Sequence, residues 1–204
     1  MHEWDYSVYG EVEEIVPHDA PEALGRPVRI TSYVDANLYH DYLTGRSVTG
    51  ILDLLNGTPI DWYCKKQATV ETATYGSEFV AARTCVERNV DMRLTLRYLG
   101  VPIRKRTYMF GDNKSVVDSS MIPHVKLSKR HTALSLHRVR EAIAGDLILF
   151  HHIEGKMNPA DILSKHWAYA PSYPQLRLLF HFSGDTAYSE EEDKGKTKQE
   201  HDPP

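Results

Sequence analysis

The sequence lacks the features of a secreted or membrane-spanning protein. Its 204 residues include only two cysteines, Cys64 and Cys85, and no CxxC motif, so neither a disulfide framework nor a cysteine-based metal site is favoured. The residues after Met1 lack the apolar core of a signal peptide. No apolar run approaches the roughly 20 residues that cross a bilayer. We therefore expect an intracellular protein, in a cytoplasmic particle or the nucleus, with free, buried thiols and no membrane partner.

The chain also lacks the net positive charge that is common in proteins that bind nucleic acid, since its net charge is −4. The charge is, however, unevenly distributed. Residues 1–24 contain seven acidic and no basic residues, and residues 185–204 contain seven acidic and three basic ones. Residues 25–184 contain 14 acidic and 21 basic residues. A basic body between acidic ends favours a polyanionic partner. Acidic ends that only keep the domain soluble are the alternative.

The length is sufficient for one domain with a hydrophobic core. Residues 1–26 mix proline, glutamate and aromatic residues without periodicity, which indicates a linker or the remnant of a preceding module. The periodic segments fall within residues 27–168, which we take as the domain. Residues 169–184 are predicted to be a C-terminal packing segment, and residues 185–204 a disordered acidic tail.

Hydrophobic periodicity predicts strands first and then alternating helices and strands. Three strands, 28–35, 47–55 and 60–66, form an antiparallel meander with a turn region at 38–46 and a hairpin turn at 56–59. The following elements are a long helix at 72–99, a strand at 107–111, helices at 113–121 and 132–144, a strand at 147–153, and a last helix with Pro159 in its first turn. This order predicts a mixed α/β domain with five strands.

Four acidic residues stand out because each lies in a distinctive string near the beginning or end of a predicted element. They are Asp35 in Tyr33-Val34-Asp35-Ala36, Glu78 in Tyr75-Gly76-Ser77-Glu78, Asp112 in Gly111-Asp112-Asn113, and Asp161 in Asn158-Pro159-Ala160-Asp161. Carboxylates brought together from distant parts of one chain repel each other unless cations lie between them. Magnesium and manganese prefer oxygen ligands and suit phosphodiester chemistry. The pattern therefore predicts a metal site.

Each acid also has a purely structural interpretation. Asp112 before a predicted helix is an ordinary cap or turn residue, and Asp161 in a first helical turn complements the helix dipole. Glu78 is harder to explain in this way because it lies among small and apolar residues. Asp35 ends an apolar strand, which is an unfavourable place for an unpaired charge. Taken together, the four acids are harder to explain by structure alone than each acid is separately.

The order strand-Asp, helix-Glu, strand-Asp, helix-Asp resembles the RNase H family. More narrowly, the chain resembles the RNase H domain at the C-terminal end of copia-type retrotransposon Pol polyproteins. The resemblance covers roughly residues 28–167. Besides the strings above, it is carried by Thr44-Gly45-Arg46-Ser47, Pro59-Ile60-Asp61-Trp62, Lys129-Arg130-His131 and Ala160-Asp161-Ile162-Leu163-Ser164-Lys165. It implies an RNase H-like fold, with a five-stranded mixed sheet, three antiparallel strands first, and flanking helices.

The resemblance implies a metal-dependent endoribonuclease that cleaves the RNA strand of RNA–DNA hybrids during retrotransposon reverse transcription. Two Mg²⁺ or Mn²⁺ ions would be held by Asp35, Glu78, Asp112 and Asp161. The expected partners are the hybrid and the upstream reverse transcriptase domain of the same polyprotein. The residues expected to support proton transfer or the site are His131, His151 and His152, although a structural role is an equal alternative for each. The expected substrate contacts are Ser77, Asn113, Lys129 and Arg130.

Other functions fit the sequence less well or stay open. A reverse transcriptase polymerase is excluded because Tyr33-Val34-Asp35 is followed by Ala36 and the chain is too short for a polymerase. The string Asp161-Ile162-Leu163-Ser164-Lys165 argues against an integrase or a proofreading exonuclease. A catalytically silent relic of a retroelement polyprotein, which only binds nucleic acid or a partner protein, is the open alternative.

Overall fold

The computed structural model describes Tyr9, Glu14 and residues 16–104, 106–123 and 132–166. The predicted segments 169–184 and 185–204 lie outside these residues. The described elements follow in the order β1 Ile30–Asp41, β2 Arg46–Leu55, β3 Thr58–Lys66, α1 Thr74–Tyr98, β4 Thr107–Gly111, α2 Lys114–Met121, α3 Ala133–Ala144, β5 Ile148–His152, a 3-10 turn Gly155–Met157, and α4 Asp161–Ser164.

The strands form one five-stranded sheet with the order β3-β2-β1-β4-β5. Strands β1, β2 and β3 pair antiparallel as a meander, whereas β4 pairs parallel with β1 and β5 pairs parallel with β4. Helix α1 leads from the meander to β4, and α2 and α3 lead from β4 to β5, as parallel pairing requires. The prediction of a mixed sheet with three antiparallel strands first is confirmed.

The hydrophobic core lies between the sheet and the helices. Phe79 and Val86 of α1 share one buried cluster with Val34, Met109 and Phe150 of the sheet. Phe79, Val86 and Met109 are completely buried, and each such side chain stabilises the fold by about 1.5–3 kcal/mol. This packing fixes the position of α1 relative to β1 and β4, and so positions Glu78 in α1, Asp35 in β1 and Asp112 directly after β4.

The first strand is longer than the sequence predicts. The sequence indicates a strand that ends near Asp35 and a turn region over 38–46, but β1 continues to Asp41 and the turn occupies 42–45. Strand β2 offers backbone partners along its whole length, so that β1 resumes pairing after a shift in register. Tyr39, with a φ of 60°, lies within this irregularity. Asp35 therefore lies inside a strand rather than at its end.

Two turns show how local sequence determines the chain path. Asn56 and Gly57 have φ values of 52° and 87° and form the predicted turn between β2 and β3, because both positions need a left-handed backbone. The start of α4 differs from the prediction, since Pro159 lies before the helix. The side-chain oxygen of Asn158 accepts a hydrogen bond from the backbone N–H of Ala160 at 3.1 Å. This turn delays the start of the helix until Asp161.

The two cysteines are free thiols, as predicted. Cys85 is buried in α1, but Cys64 is exposed, so the prediction of burial is wrong for Cys64. Residues alternate between the two faces of a strand, and Tyr63 packs against the core, which turns Cys64 away from it. Among the helices in the described part of the chain, none combines the length and apolar content that crossing a bilayer requires.

The described residues near the N-terminus contact the domain. The Glu14 carboxylate accepts hydrogen bonds from Nε and Nη2 of Arg93, both at 2.7 Å, and pairs with Arg97. Partial burial opposes ionisation of Glu14, but the hydrogen bonds from Arg93 and Arg97 hold its pKa below the usual value. The Arg93 side chain is only 3% exposed, so Glu14 provides a counter-charge for a buried cation.

Candidate active site

Three of the four predicted acids converge at one edge of the sheet. Asp35 belongs to β1, Asp112 directly follows β4, and Glu78 lies in the second turn of α1. The parallel register pairs Val34 with Gly111, which brings Asp35 next to Asp112. One carboxylate oxygen from each of the three acids lies within 4.8 Å of the others. The structure thus brings together residues that are far apart in sequence.

The three carboxylates line an open cleft of about 470 Å³. The polar side chains that share this lining belong to Asn37, Thr74, Asn113 and Ser115, and the positive charges belong to Lys114 and Lys165. Sites for small drug-like molecules are mostly apolar and enclosed. An open cleft with charged and polar walls is better suited to an extended, charged ligand.

Asp35 is held in place by α4. Its side chain is buried, and the Ser164 hydroxyl donates a hydrogen bond to its carboxylate. Gly50 is the cross-strand partner of Asp35, and it allows α4 to approach. A β-carbon at Gly50 would lie 2.7 Å from the carbonyl oxygen of Ala160 and 3.0 Å from the backbone nitrogen of Ser164. Glycine at this position therefore lets Ser164 reach Asp35.

Glu78 is positioned by a buried contact between β2 and the start of α1. The Gln67 side-chain amide donates hydrogen bonds to Oγ1 of Thr49 at 3.0 Å and to the carbonyl oxygen of Ser77 at 2.8 Å. The backbone of Ala36 lies close enough to lower the pKa of Glu78, against the larger effect of burial. These contacts fix the first turns of α1 against the sheet, so that Glu78 reaches the cleft.

Asp161 lies beside the cluster of three acids rather than in it. It is the first residue of α4 and is 7% exposed. Its carboxylate pairs with the Nζ atom of Lys165, and the same Nζ atom lies 4.0 Å from Oδ2 of Asp35. Lys165 is not among the site residues predicted from the sequence. The spacing of Asp161 and Lys165 is nevertheless a recognisable signal, because residues four apart meet on one face of a helix.

Burial is the main cause of the raised pKa values of the three clustered acids. Loss of solvent raises the pKa of Asp35 to about 6, although the hydrogen bond from Ser164 and the charge of Lys165 oppose the shift. Burial, followed by the charges of Asp35 and Asp112, raises the pKa of Glu78 well above its usual value. Burial also raises the pKa of Asp112. Negative charge in a partly dry site is therefore costly, and a bound cation offsets that cost.

The donor set fits a hard divalent cation such as Mg²⁺ or Mn²⁺. Three carboxylates with oxygens within 4.8 Å of one another supply the ligand type that these ions prefer. Asp161 is close enough to the cluster to influence the protonation of Asp35 and Asp112 electrostatically. The first three acids are thus the primary candidates for metal ligands, and Asp161 is an adjacent fourth.

The two predicted histidines of β5 have different surroundings. His151 stacks on Phe110 with the ring centroids 5.4 Å apart and on Tyr108 with the centroids 5.9 Å apart. Burial lowers the pKa of His151. His152 is exposed, and its Nε2 atom lies 3.0 Å from the carbonyl oxygen of Asp112. Of these two histidines, His152 is the one that borders the acidic cluster.

The predicted substrate contacts are also divided. Asn113 lines the cleft, and its side-chain oxygen caps α2 by accepting a hydrogen bond from the backbone N–H of Val116 at 3.3 Å. Ser77 is completely buried and donates a hydrogen bond to the carbonyl oxygen of Thr74 at 2.9 Å, so it does not line the cleft. The three remaining predicted residues, which lie outside the described part of the chain, are Lys129, Arg130 and His131.

Comparison with known sequences gives one informative relative. No family model matches the chain. The chain is 27% identical over 136 residues to a retrovirus-related Pol polyprotein from transposon TNT 1-94 of Nicotiana tabacum. The alignment covers 67% of this chain and 10% of that polyprotein. The chain therefore spans about a tenth of the length of this relative.

Comparison with solved structures identifies the fold. RNase H1 from Halobacterium salinarum NRC-1 superposes with a TM-score of 0.52 at 16% identity, covering 67% of this chain and 94% of the other. The N-terminal RNase H domain of rv2228c from Mycobacterium tuberculosis gives a TM-score of 0.52 at 13% identity, covering 67% of this chain and 91% of the other. The chain therefore has an RNase H-like fold, and its sequence is similar to part of a retrovirus-related Pol polyprotein of a transposon.

Proposed function

We propose that this chain is a ribonuclease H, which hydrolyses the RNA strand of RNA–DNA hybrids with the help of divalent metal ions. The observation that carries the proposal is the cluster of Asp35, Glu78 and Asp112, whose oxygens lie within 4.8 Å of one another. A fold alone does not imply an activity, because one fold supports many functions. The acidic cluster in the open cleft supports the activity because it provides ligands for metal-assisted phosphodiester hydrolysis.

The metal ligands in this proposal are Asp35, Glu78, Asp112 and Asp161, around two Mg²⁺ or Mn²⁺ ions. When bound, such ions activate a water for in-line attack and stabilise the leaving 3′ oxygen of the scissile phosphate. The protein contributes preorganised ligands. Ser164 orients Asp35, and Gln67 holds the helical turn that carries Glu78 through its hydrogen bond to the carbonyl oxygen of Ser77. The expected products carry 5′-phosphate and 3′-hydroxyl ends.

The lining of the cleft supports a hybrid as the substrate. An RNase H distinguishes the RNA strand through its 2′-hydroxyls, which are accessible across a shallow minor groove. Asn37, Asn113 and Ser115 line the cleft and offer groups that can bind hydroxyls. Lys114, also in the lining, can neutralise a phosphate without reading sequence. The proposed role of His152 is proton transfer, because this exposed imidazole lies next to Asp112.

A cleavage assay tests the proposal directly. The full chain is incubated with a hybrid whose RNA strand is labelled, in Mg²⁺ or Mn²⁺, alongside duplex DNA, duplex RNA and single-stranded RNA. We expect cleavage of the hybrid alone. The variant Asp112→Asn should lose more than about 100-fold in rate, because it removes a metal ligand while keeping the side-chain shape. Asp91→Asn is the matched control, since Asp91 is exposed on α1.

Two results would contradict the proposal. Binding of the hybrid without cleavage in either ion would support the alternative of a silent relic that only binds nucleic acid or a partner protein. Cleavage by Asp112→Asn at the wild-type rate would show that the acidic cluster is not the active site. An equal loss of cleavage rate in Asp91→Asn would show that Asp112→Asn acts through folding rather than through metal binding.

The similarity to a Pol polyprotein supports a biological setting for this activity. In that setting the partner is a reverse transcriptase domain of the same polyprotein, and the process is reverse transcription of a retrotransposon. Reverse transcription produces RNA–DNA hybrids from which the RNA strand must be removed while the DNA strand stays intact. Cleavage restricted to the RNA strand is therefore the activity that this setting requires.

A further inference from the structure

Lys165 brings a positive charge into the acidic site. Its Nζ atom pairs with the Asp161 carboxylate and lies 4.0 Å from Oδ2 of Asp35. The Lys165 side chain is 41% exposed, whereas the side chains of Asp161 and Asp35 are 10% and 2% exposed. The lysine therefore reaches from the open cleft to two carboxylates that have lost most of their solvent.

This pair differs from an ordinary surface ion pair. In the pair of Lys156 and Glu154, the two side chains are 76% and 68% exposed, and such pairs contribute little because water solvates both charges. A buried carboxylate without a counter-charge is costly. Lys165 offsets this cost for Asp161, which is also the function that a bound metal ion would perform there.

Lys165 also divides the four acids into two groups. Asp35, Glu78 and Asp112 have oxygens within 4.8 Å of one another, and they form a site for one ion. Asp161, beside that site, already has a cation bound to it. A second divalent ion that uses Asp161 therefore competes with the lysine, because the ion and the ammonium group repel each other at the same carboxylate.

This inference rests on the proposed function and assigns a role to Lys165 in the proposed active site. We propose that Lys165 is a positioning residue that neutralises Asp161 in the free protein and limits the free protein to one tightly bound divalent ion. The lysine lines the cleft, and its flexible stem allows it to move from Asp161 to a phosphate of the substrate. Substrate binding thereby makes Asp161 available and completes the two-ion site only when the hybrid is present.

A titration with Mn²⁺ in the absence of nucleic acid tests the proposal without any measurement of cleavage. Bound and free Mn²⁺ are counted by electron paramagnetic resonance on the full chain. We expect one tight ion for the wild type and two for Lys165→Met, which keeps the length of the side chain and removes its charge. The affinity for the second ion should rise by about 10- to 100-fold, because changes at groups that contact a metal ligand alter metal affinity by this amount and Lys165 competes with the ion. Lys165→Arg keeps the charge and should bind one tight ion.

Thermal unfolding in EDTA gives an independent readout. Lys165→Met should unfold at a lower temperature than the wild type, because the Asp161 carboxylate loses its ion pair with Lys165. The double variant Asp161→Asn, Lys165→Met removes both charges and should recover part of the loss. Saturating Mn²⁺ should stabilise Lys165→Met more than the wild type. A lysine with a merely structural role would lower the unfolding temperature equally with and without the ion.

Several outcomes would overturn the proposal. One is a Lys165→Met variant that binds the same number of Mn²⁺ ions as the wild type, with the same affinities. Another is a Lys165→Met variant that stays unfolded in saturating Mn²⁺, because the ion must be able to replace the lysine. Failure of the proposed function has a different signature, namely that the wild type does not cleave the hybrid. A wild type with one ion, a variant with two and no cleavage would keep this inference and reject the ribonuclease activity.

Discussion

Replacing Gly50 with alanine should displace α4 from the acidic site while leaving the sheet paired. Gly50 faces Asp35 across β1 and β2, and α4 lies directly over it. The new β-carbon would lie 2.7 Å from the carbonyl oxygen of Ala160 and 3.0 Å from the β-carbon of Leu163. The nearest obstacle is backbone rather than the end of a flexible side chain. The helix must therefore move, and it carries Ser164 with it.

The magnitude of the effect follows from this geometry. Ordinary van der Waals contact begins at 3.4 Å, so the Ala160 carbonyl must retreat by about 0.7 Å. Overpacking of this kind typically costs about 1–3 kcal/mol of stability. A misplacement of about 1 Å in an active site can cost about 100-fold in rate. We expect the cleavage rate to fall by about 10- to 100-fold, because Ser164 no longer holds Asp35 and Asp161 shifts relative to it.

The assay pairs single-turnover cleavage of the hybrid with urea denaturation. Gly57→Ala serves as the control, because Gly57 has a φ of +87° and nothing within 4 Å of its would-be β-carbon. Alanine at a left-handed position should cost about 1 kcal/mol or more through backbone strain, without contact with α4. The two variants thus share a loss of stability, and displacement of α4 is expected in Gly50→Ala alone.

Wild-type cleavage and stability in Gly50→Ala would refute this reasoning, because the docking of α4 would then tolerate a β-carbon. Equal losses of activity in Gly50→Ala and Gly57→Ala would also refute it. In that case the rate would follow global stability rather than the position of Ser164 beside Asp35.

Two further predictions concern charge. The pKa of Asp35 is raised to about 6, so its ionisation is unfavourable in the folded protein. The free energy of unfolding of the metal-free protein should therefore rise by about 1 kcal/mol as the pH falls from 8 to 5. Urea denaturation in EDTA measures this rise, which Asp35→Asn should reduce. Glu14→Gln should lower the free energy of unfolding by about 2 kcal/mol at pH 7, because Glu14 is the counter-charge of buried Arg93. Pairing lowers the pKa of Glu14, so the difference in free energy of unfolding between the wild type and Glu14→Gln should persist above pH 4.5. It should disappear as the pH falls through the lowered pKa of Glu14. A constant difference down to pH 2 would argue against the ion pair.

The sequence predicts those features of the fold that local chemistry encodes. The turn at Asn56 and Gly57 follows from the left-handed backbone that both residues tolerate. Asp112 is recognisable because a strand ends and a helix begins around it, and Glu78 because it is a charge in an apolar helix segment. The order of elements then determines the sheet, since parallel partners need crossover connections.

The features that the sequence does not reveal depend on contacts between distant segments. The continuation of β1 to Asp41 depends on the length of β2, so the polar composition of 38–46 is misleading. The burial of Ser77 depends on the packing of α1 against the sheet, which the sequence of the helix does not specify. Lys165 acquires its position near Asp35 only because α4 docks on Gly50. A glycine within a strand signals a close approach, but it does not identify the approaching element.

The hydrogen bond from Ser164 to Asp35 joins residues that are 129 positions apart, and this separation has a consequence for synthesis. A ribosome delivers Asp35 long before α4, so a nascent chain carries the central acid of the site without the helix that orients it. Contacts between residues so distant in sequence form late, because the intervening chain must first be ordered. The acidic site should therefore reach its final geometry only after Lys165 has emerged. The proposed cleavage of hybrids would thus begin only when the domain is almost complete.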